Sequence, residues 1–333
     1  MAIYYGDTSG VLSGFQHASA QVLVGDHVNG TWQSVTNRLY GDAYSITSFA
    51  HGGDDTLVGG YADLLDEIIY GDAYVMDRFS VGGNDMILGG GSGSHARPTI
   101  YGDAYEMHGF SRGGNDQIIG NSATVYGDSA KLDGFTIGGN DEIEGGVRYG
   151  SIVGDGALSG FAKGGDDRIT VTSGVSEVYI SGDGALSGFA RGGNDLIIGG
   201  NNSGYQIISG DGSLSGFARG GDDIIIAGSN SYNLISGDGS KSGQAVGGSD
   251  TFVFNPGITQ NRILDFEQGK DHIDLTGFAS QGVHGLGDLT IHTGSVALGN
   301  GQTIQGSSID FGTYNYIAVL GVEHLTSCDF IFA

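Results

Sequence analysis

The sequence predicts an all-β fold, a parallel β-solenoid (β-roll-like) of about eight coils of 25–31 residues with a C-terminal β cap. Three observations predict it: a two-mark internal repeat, a glycine content about three times the usual share, and an acidic excess that a compact chain cannot carry alone.

The repeat comes first because self-similarity at a fixed period decides the architecture. One mark is Gly-Asp after a β-former or small residue, ending at Asp42, Asp72, Asp103, Asp128, Asp155, Asp183, Asp211 and Asp238. The other is Gly-Gly-[Asp/Asn/Ser]-Asp, opened by Gly52, Gly82, Gly113, Gly138, Gly164, Gly192, Gly220 and Gly247 and ending at Asp55, Asp85, Asp116, Asp141, Asp167, Asp195, Asp223 and Asp250. The two aspartates of a unit lie 13 residues apart in the first four units and 12 in the last four. The gap to the next unit varies more, 17 residues from Asp55 to Asp72 against 12 from Asp116 to Asp128, as loops on one edge of a stacked coil would.

Each unit holds short β-prone stretches, such as Leu196-Ile197-Ile198 and Gln206-Ile207-Ile208, between glycine and asparagine turns. Stretches this short cannot make independent sheets, so the units must stack to bury their Ile, Leu and Tyr side chains. Glycine pairs suit the corners because they lack a Cβ to clash. Helix is excluded, since glycine costs about 1 kcal/mol per helical position and no 3.6-residue period is sustained. Parallel strands about 4.8 Å apart make eight coils a rod of roughly 40 Å. Phe49, Phe79, Phe110, Phe135, Phe161, Phe189 and Phe217 recur at one place in the unit and are expected to form a stacked interior ladder.

Thirty-eight acidic residues face thirteen basic ones, a net charge of −25 that requires a positive partner. The same sign excludes nucleic acid and anionic lipid as electrostatic partners. Carboxylates beside sterically open glycine carbonyls are hard oxygen donors, which suits several calcium ions with six to eight ligands each. One corner cannot supply that number, but two successive coils can, with the ion as a rivet between them. Magnesium fits less well because it demands near-octahedral geometry. Zinc lacks its ligands: His17, His27, His51, His95, His108, His272, His284, His292 and His324 show no repeated spacing, and Cys328 stands alone. A single Gly-Asp would read as an ordinary turn. Sixteen aspartates in strict alternation, in so acidic a chain, read as calcium ligands.

These motifs resemble the hemolysin-type calcium-binding repeats of the RTX superfamily, whose nonapeptide is G-G-x-G-x-D-x-U-x with U a large apolar residue. Gly192-Gly193-Asn194-Asp195-Leu196-Ile197-Ile198-Gly199-Gly200 covers the second half of one nonapeptide and the start of another, and the likeness spans Tyr40 to about Asp250. Tandem nonapeptides are absent, however, and the stretch Gly184 to Arg191 is longer than the family's usual turn. Either a third face carrying Leu186 and Phe189 or an extended loop is therefore expected in place of a two-sided roll. Residues 1–39 read as degenerate repeats, 40–250 as the calcium-binding solenoid and 251–333 as a cap. The segment from Thr251 through Leu275 is similar to the flank that closes RTX β-rolls in secreted bacterial metalloproteases, and Cys328 to Ala333 looks like a type I secretion signal.

The N-terminal residues MAIYYGDTSG carry no Sec-type signal, and no apolar run approaches the ~18 residues of a transmembrane span. The resemblance implies a bacterial chain that leaves the cytoplasm unfolded through the type I machinery and folds outside on millimolar calcium, since binding free energy is then folding free energy. The expected role is structural, a self-associating homo-oligomer or polymer in a surface layer, filament or biofilm matrix. An adhesin that stacks surface glycans on Tyr44, Tyr74 and Tyr105 is the alternative. No enzyme is expected, because neither H-E-x-x-H nor a nucleophile elbow G-x-S-x-G on a strand-to-helix turn is present.

Overall fold

The computed structural model describes residues 1–28, 34–62, 64–90, 98–121, 123–146, 148–297, 303–312 and 314–333. Among them three sheets run the length of a parallel β-solenoid, with 13, 6 and 11 strands. A typical rung enters the first sheet with Leu64–Tyr70, turns through Gly71-Asp72 into the second with Ala73–Arg78, and reaches the third with Met86–Leu88. The coil therefore has three faces, and the long turn of each unit belongs to the second of them. From Leu158 onward isolated bridges through Leu186, Leu214 and Lys241 continue that second face.

Strand alternation sends one residue in two inward, and register places like residues over one another. Leu57, Ile87, Ile118, Ile143, Ile169, Ile197, Ile225, Phe252 and Ile273 form one buried column of the third sheet. Leu39, Ile69, Ile100, Val125, Ile152 and Ile180 face it from the first sheet. A separate, smaller core of Ile46, Met76, Met107, Leu132, Leu158, Leu186 and Leu214, with small residues such as Ala50 and Ala190, fills the lobe behind the second sheet. Inside the main core, Asn37 donates to Glu67, and Gln206, Asn233 and Asn261 form an amide ladder whose first two members also bond the carbonyls of Gly200 and Gly228 at the corner into the first sheet.

Length differences fall where the repeat suggested, between the third-sheet strand and the next first-sheet strand. Met86–Leu88 is followed at a distance by Thr99–Tyr101, whereas Gln117–Asn121 leads almost directly to Thr124–Tyr126.

Two expectations change. The phenylalanine column is stacked, with ring centroids 4.9–5.0 Å apart from Phe49 to Phe217, but it is not interior: each ring is about half exposed, from 46% at Phe49 to 55% at Phe217. The residue before each ring has positive φ, for example Gly134 at 79° and Arg78 at 67°, and this tight turn swings the ring outward while the following small residue takes the inner position. Phe15 adds an eighth ring, stacked on Phe49 and 81% exposed. The second change concerns the apparent cap strands. Thr251–Val253, Gln260–Ile263 and His272–Asp274 are further rungs of the same sheets. Tyr316–Leu320 and Phe330–Ile331 add one more parallel strand to the first and third sheets, and the antiparallel strands Thr303–Asp310 and Thr290–Ala297 then extend the first sheet, with Phe278 packed in the core beneath. At the other end Ala2–Tyr5, Thr8–Leu12 and Val22–Val24 make a complete rung. No helix of the described residues is long and apolar enough to cross a membrane.

Because the third-sheet column is continuous, truncating Ile143 opens a void that neighbouring rungs cannot fill. Ile143→Ala is expected to cost about 2–5 kcal/mol, and Met86→Ala on the outer face of the same sheet about 0.5 kcal/mol or less. Thermal or denaturant unfolding measures both.

Candidate metal centre

The sixteen predicted aspartates are all buried, none more than 3% exposed. They form two columns running up the rod between the two hydrophobic cores, because each is flanked by a glycine turn on one side and an inward β residue on the other.

In the first column each carboxylate spans its own rung. Asp42 accepts from the backbone N–H of Gly53 at 3.0 Å, Asp103 from Gly114 at 2.8 Å and Asp211 from Gly221 at 2.8 Å. This contact ties the Gly-Asp turn to the Gly-Gly corner and closes the second lobe. In the second column each aspartate's own N–H donates to the carboxylate one rung on: Asp55 to Asp85 at 2.7 Å, Asp116 to Asp141 at 2.8 Å and Asp195 to Asp223 at 2.8 Å. The residue before it points outward, and Asp54, Asn84, Asn115 and Asn140 build a solvent-facing ladder of their own.

The glycines of the marks are needed for close approach. A methyl at Gly52 would overlap the carboxylates of both Asp42 and Asp72, and one at Gly71 would overlap Asp85 Oδ2 and the carbonyl of Gly102. The same relation recurs at Gly82, Gly113, Gly138, Gly164, Gly192 and Gly220, each against two carboxylates of the first column, and at Gly247 against Asp238.

Each column is left with oxygens that nothing satisfies. In the second column Oδ2 of Asp55, Asp85, Asp116, Asp141, Asp167, Asp195, Asp223 and Asp250 is buried without a hydrogen-bond partner. In the first, so is one oxygen each of Asp42, Asp103, Asp155, Asp183 and Asp211. A buried polar group without a partner is costly, and a buried unpaired charge more so. Burial accordingly pushes the carboxyls up: to about 7 at Asp42, where a hydrogen bond with the Asp72 carboxyl holds the shift back, to about 8 at Asp55 and Asp223, and to about 9 at Asp250, with the charge of neighbouring aspartates adding to the shift at the last three.

The donors present fit a hard cation. The unsatisfied oxygens stand beside glycine carbonyls of the following rung, and nitrogen and sulfur ligands are not interleaved with them. No three acidic, His or Cys side chains among the described residues converge on one point, so backbone carbonyls must supply much of any coordination shell. The last position of the second face carries a built-in cation: Lys241, in the place that Leu214 holds one rung earlier, sets its ammonium 3.1 Å from Asp238 and also meets Glu267. Asp238 has no unsatisfied oxygen.

Sequence reasoning missed members at both ends. Asp271 accepts from the Asp250 N–H at 3.0 Å and extends the second column. Asp265 accepts from the N–H groups of Gly237 and Asp238 and extends the first. Asp7, bonded to the N–H of Ser19, begins it. The available signal was Asp-x-apolar, which Asp271-His272-Ile273 shares with Asp223-Ile224-Ile225, but the Gly-Gly pair before it is lost. Tyr44, Tyr74 and Tyr105 stack on one another 5.3–5.4 Å apart and lean on the buried Tyr40, Tyr70 and Tyr101. Of the histidines, His17 stacks on His51 at 4.4 Å, and His95 lies outside the described residues. No protein family, curated protein or solved structure matches the chain.

The raised carboxyls set the sign of the pH dependence. Without a cation the folded columns must hold protons that the unfolded chain sheds near pH 4, so their support is present in acid and lost as pH rises toward 8. In excess EGTA the unfolding midpoint is expected to fall steeply from about pH 5 to pH 8, whereas in calcium it should stay level. A midpoint in EGTA that rises over this range would show that the columns fold ionised.

Proposed function

We propose that the chain is a secreted calcium-binding solenoid of the hemolysin-type repeat class, exported through a type I system, folded by extracellular calcium and used structurally at the cell surface. The observation that carries the reading is the pair of buried aspartate columns, each with a row of unsatisfied oxygens. The RTX-like repeat supports it from the sequence side.

In this reading Asp55, Asp85, Asp116, Asp141, Asp167, Asp195, Asp223 and Asp250 hold calcium through Oδ2, with the first-column aspartates and the glycine carbonyls of adjacent rungs completing the shell. Calcium supplies the positive charge that the columns lack apart from Lys241 beside Asp238. The aspartates themselves then do the structural work. Ionised in a calcium-poor cytoplasm, they repel one another and oppose stacking; neutralised outside, they join rung to rung. Their role is that of ligands, and no bond-making chemistry is assigned to them.

The test is a calcium titration of the purified chain followed by circular dichroism. The β signal should rise cooperatively at about 10⁻⁴–10⁻³ M calcium, the range of extracellular modules, and collapse in EGTA at neutral pH. A full β signal in excess EGTA at pH 7.5 would overturn the reading. Asp141→Asn keeps the side-chain shape and removes the charge, and should raise the calcium midpoint by about tenfold or more. Asp166→Asn, on the exposed ladder, should leave it unchanged.

A further inference from the structure

The phenylalanine column is the largest feature of the surface that the metal centre does not use. Eight rings lie over one another, those from Phe49 to Phe217 tilted by no more than 7° between neighbours. Stacked in this way they cover one another's faces and present edges to solvent, so a flat ligand such as a sugar ring finds an open face only at the ends. Edges at a regular rise are suited instead to a second row of edges with the same rise. Half-exposed, eight rings offer on the order of 800 Å² per copy, the area each partner contributes to a standard stable interface.

Charge argues further. Two residues after the eight rings, a column of bridge positions reads His17, His51, Val81, Arg112, Ile137, Lys163, Arg191 and Arg219, with Val246 beyond, so that three cations occupy successive rungs toward one end. Among the described residues these three cations have no ion-pair partner, and like charges directly opposite are unfavourable. A parallel neighbour would leave them crowded. An antiparallel one sets Lys163, Arg191 and Arg219 against Val81, His51 and His17 and the remaining cation, Arg112, against Ile137, and lays the exposed Phe15 over the ≈ 350 Å³ groove beside Phe217 where the column of rings ends.

We infer that the phenylalanine stripe is a two-fold, antiparallel interface for a second copy of this chain. The inference rests on the proposed self-associating role and names its surface. Rods of equal rise meet edge row against edge row, and the order of the flanking column selects the antiparallel pair.

Sedimentation equilibrium of the full chain in calcium tests it, with circular dichroism on the same samples to report folding. The wild type should be a dimer. The triple variant Phe135→Ser, Phe161→Ser, Phe189→Ser should weaken the dimer by about 100-fold or more. Should that variant fail to fold, Val81→Lys on the half-buried flank sets an ammonium against Lys163 of the second copy and should weaken association by about tenfold. Tyr44→Ser, on a different column, should leave it intact. A wild type that folds in calcium yet stays monomeric overturns this inference and leaves the calcium reading standing, including a monomer whose stripe takes up vesicles or a linear glycan. Association unaffected by the stripe variants, or abolished by Tyr44→Ser, overturns it too. A chain that dimerises through the stripe while fully folded in EGTA overturns the calcium reading alone.

Discussion

The constraint on which the structure depends is the burial of two continuous rows of carboxylates between two apolar cores. Solvating an ion in a low-dielectric interior is far costlier than anything a single hydrogen bond returns, and each aspartate here receives one or two backbone N–H donors at most. Stacking compounds the difficulty, because each new rung brings its charge within range of those already placed. The fold therefore has two ways to be neutral: protons, which the raised carboxyls show to be available in acid, or cations, which neutral and basic conditions demand. Lys241 at the end of the second face displays the second solution in covalent form.

The rest of the architecture follows from keeping those rows straight. Glycine at Gly52, Gly71 and their equivalents lets backbone approach the carboxylates more closely than any side chain would permit. Register holds Ile over Ile and Asp over Asp, so that each rung offers the next one the same surface. Apart from one residue between the two marks, length varies after the third-sheet strand, the one corner that neither aspartate column touches. The second lobe, closed by the Asp-to-Gly bond across each rung, carries the outward phenylalanines. The same bond that positions a carboxylate for a cation thus fixes the surface through which copies are inferred to meet.

Much of this was legible in the sequence because repetition makes weak signals add. A lone Gly-Asp is a turn, but eight of them alternating with eight Gly-Gly-x-Asp marks required two equivalent corners per coil, and Asp42 through Asp250 all occupy such corners. The third face was open from the length of the turn before Arg191, which by itself could equally have been a loop. The phenylalanines were misplaced for a physical reason: apolarity announces stacking, but the side of the chain on which Phe135 falls is decided by the positive φ of Gly134, which periodicity does not reveal. Asp265 and Asp271 were hidden because the final unit loses its glycine pair while keeping the column. The amide ladder of Gln206, Asn233 and Asn261 was missed although alternation carried its signal: each stands two places before a buried Ile and so on the same inward face.

The most direct measurement of the central claim is a crystal grown in calcium at neutral pH, with anomalous differences collected at long wavelength. The account requires a row of peaks along the aspartate columns, recurring from rung to rung, each about 2.4 Å from an Oδ2 of the second column and from glycine carbonyls. Aspartates of successive rungs bonded directly to one another, with no anomalous density between them, would contradict it.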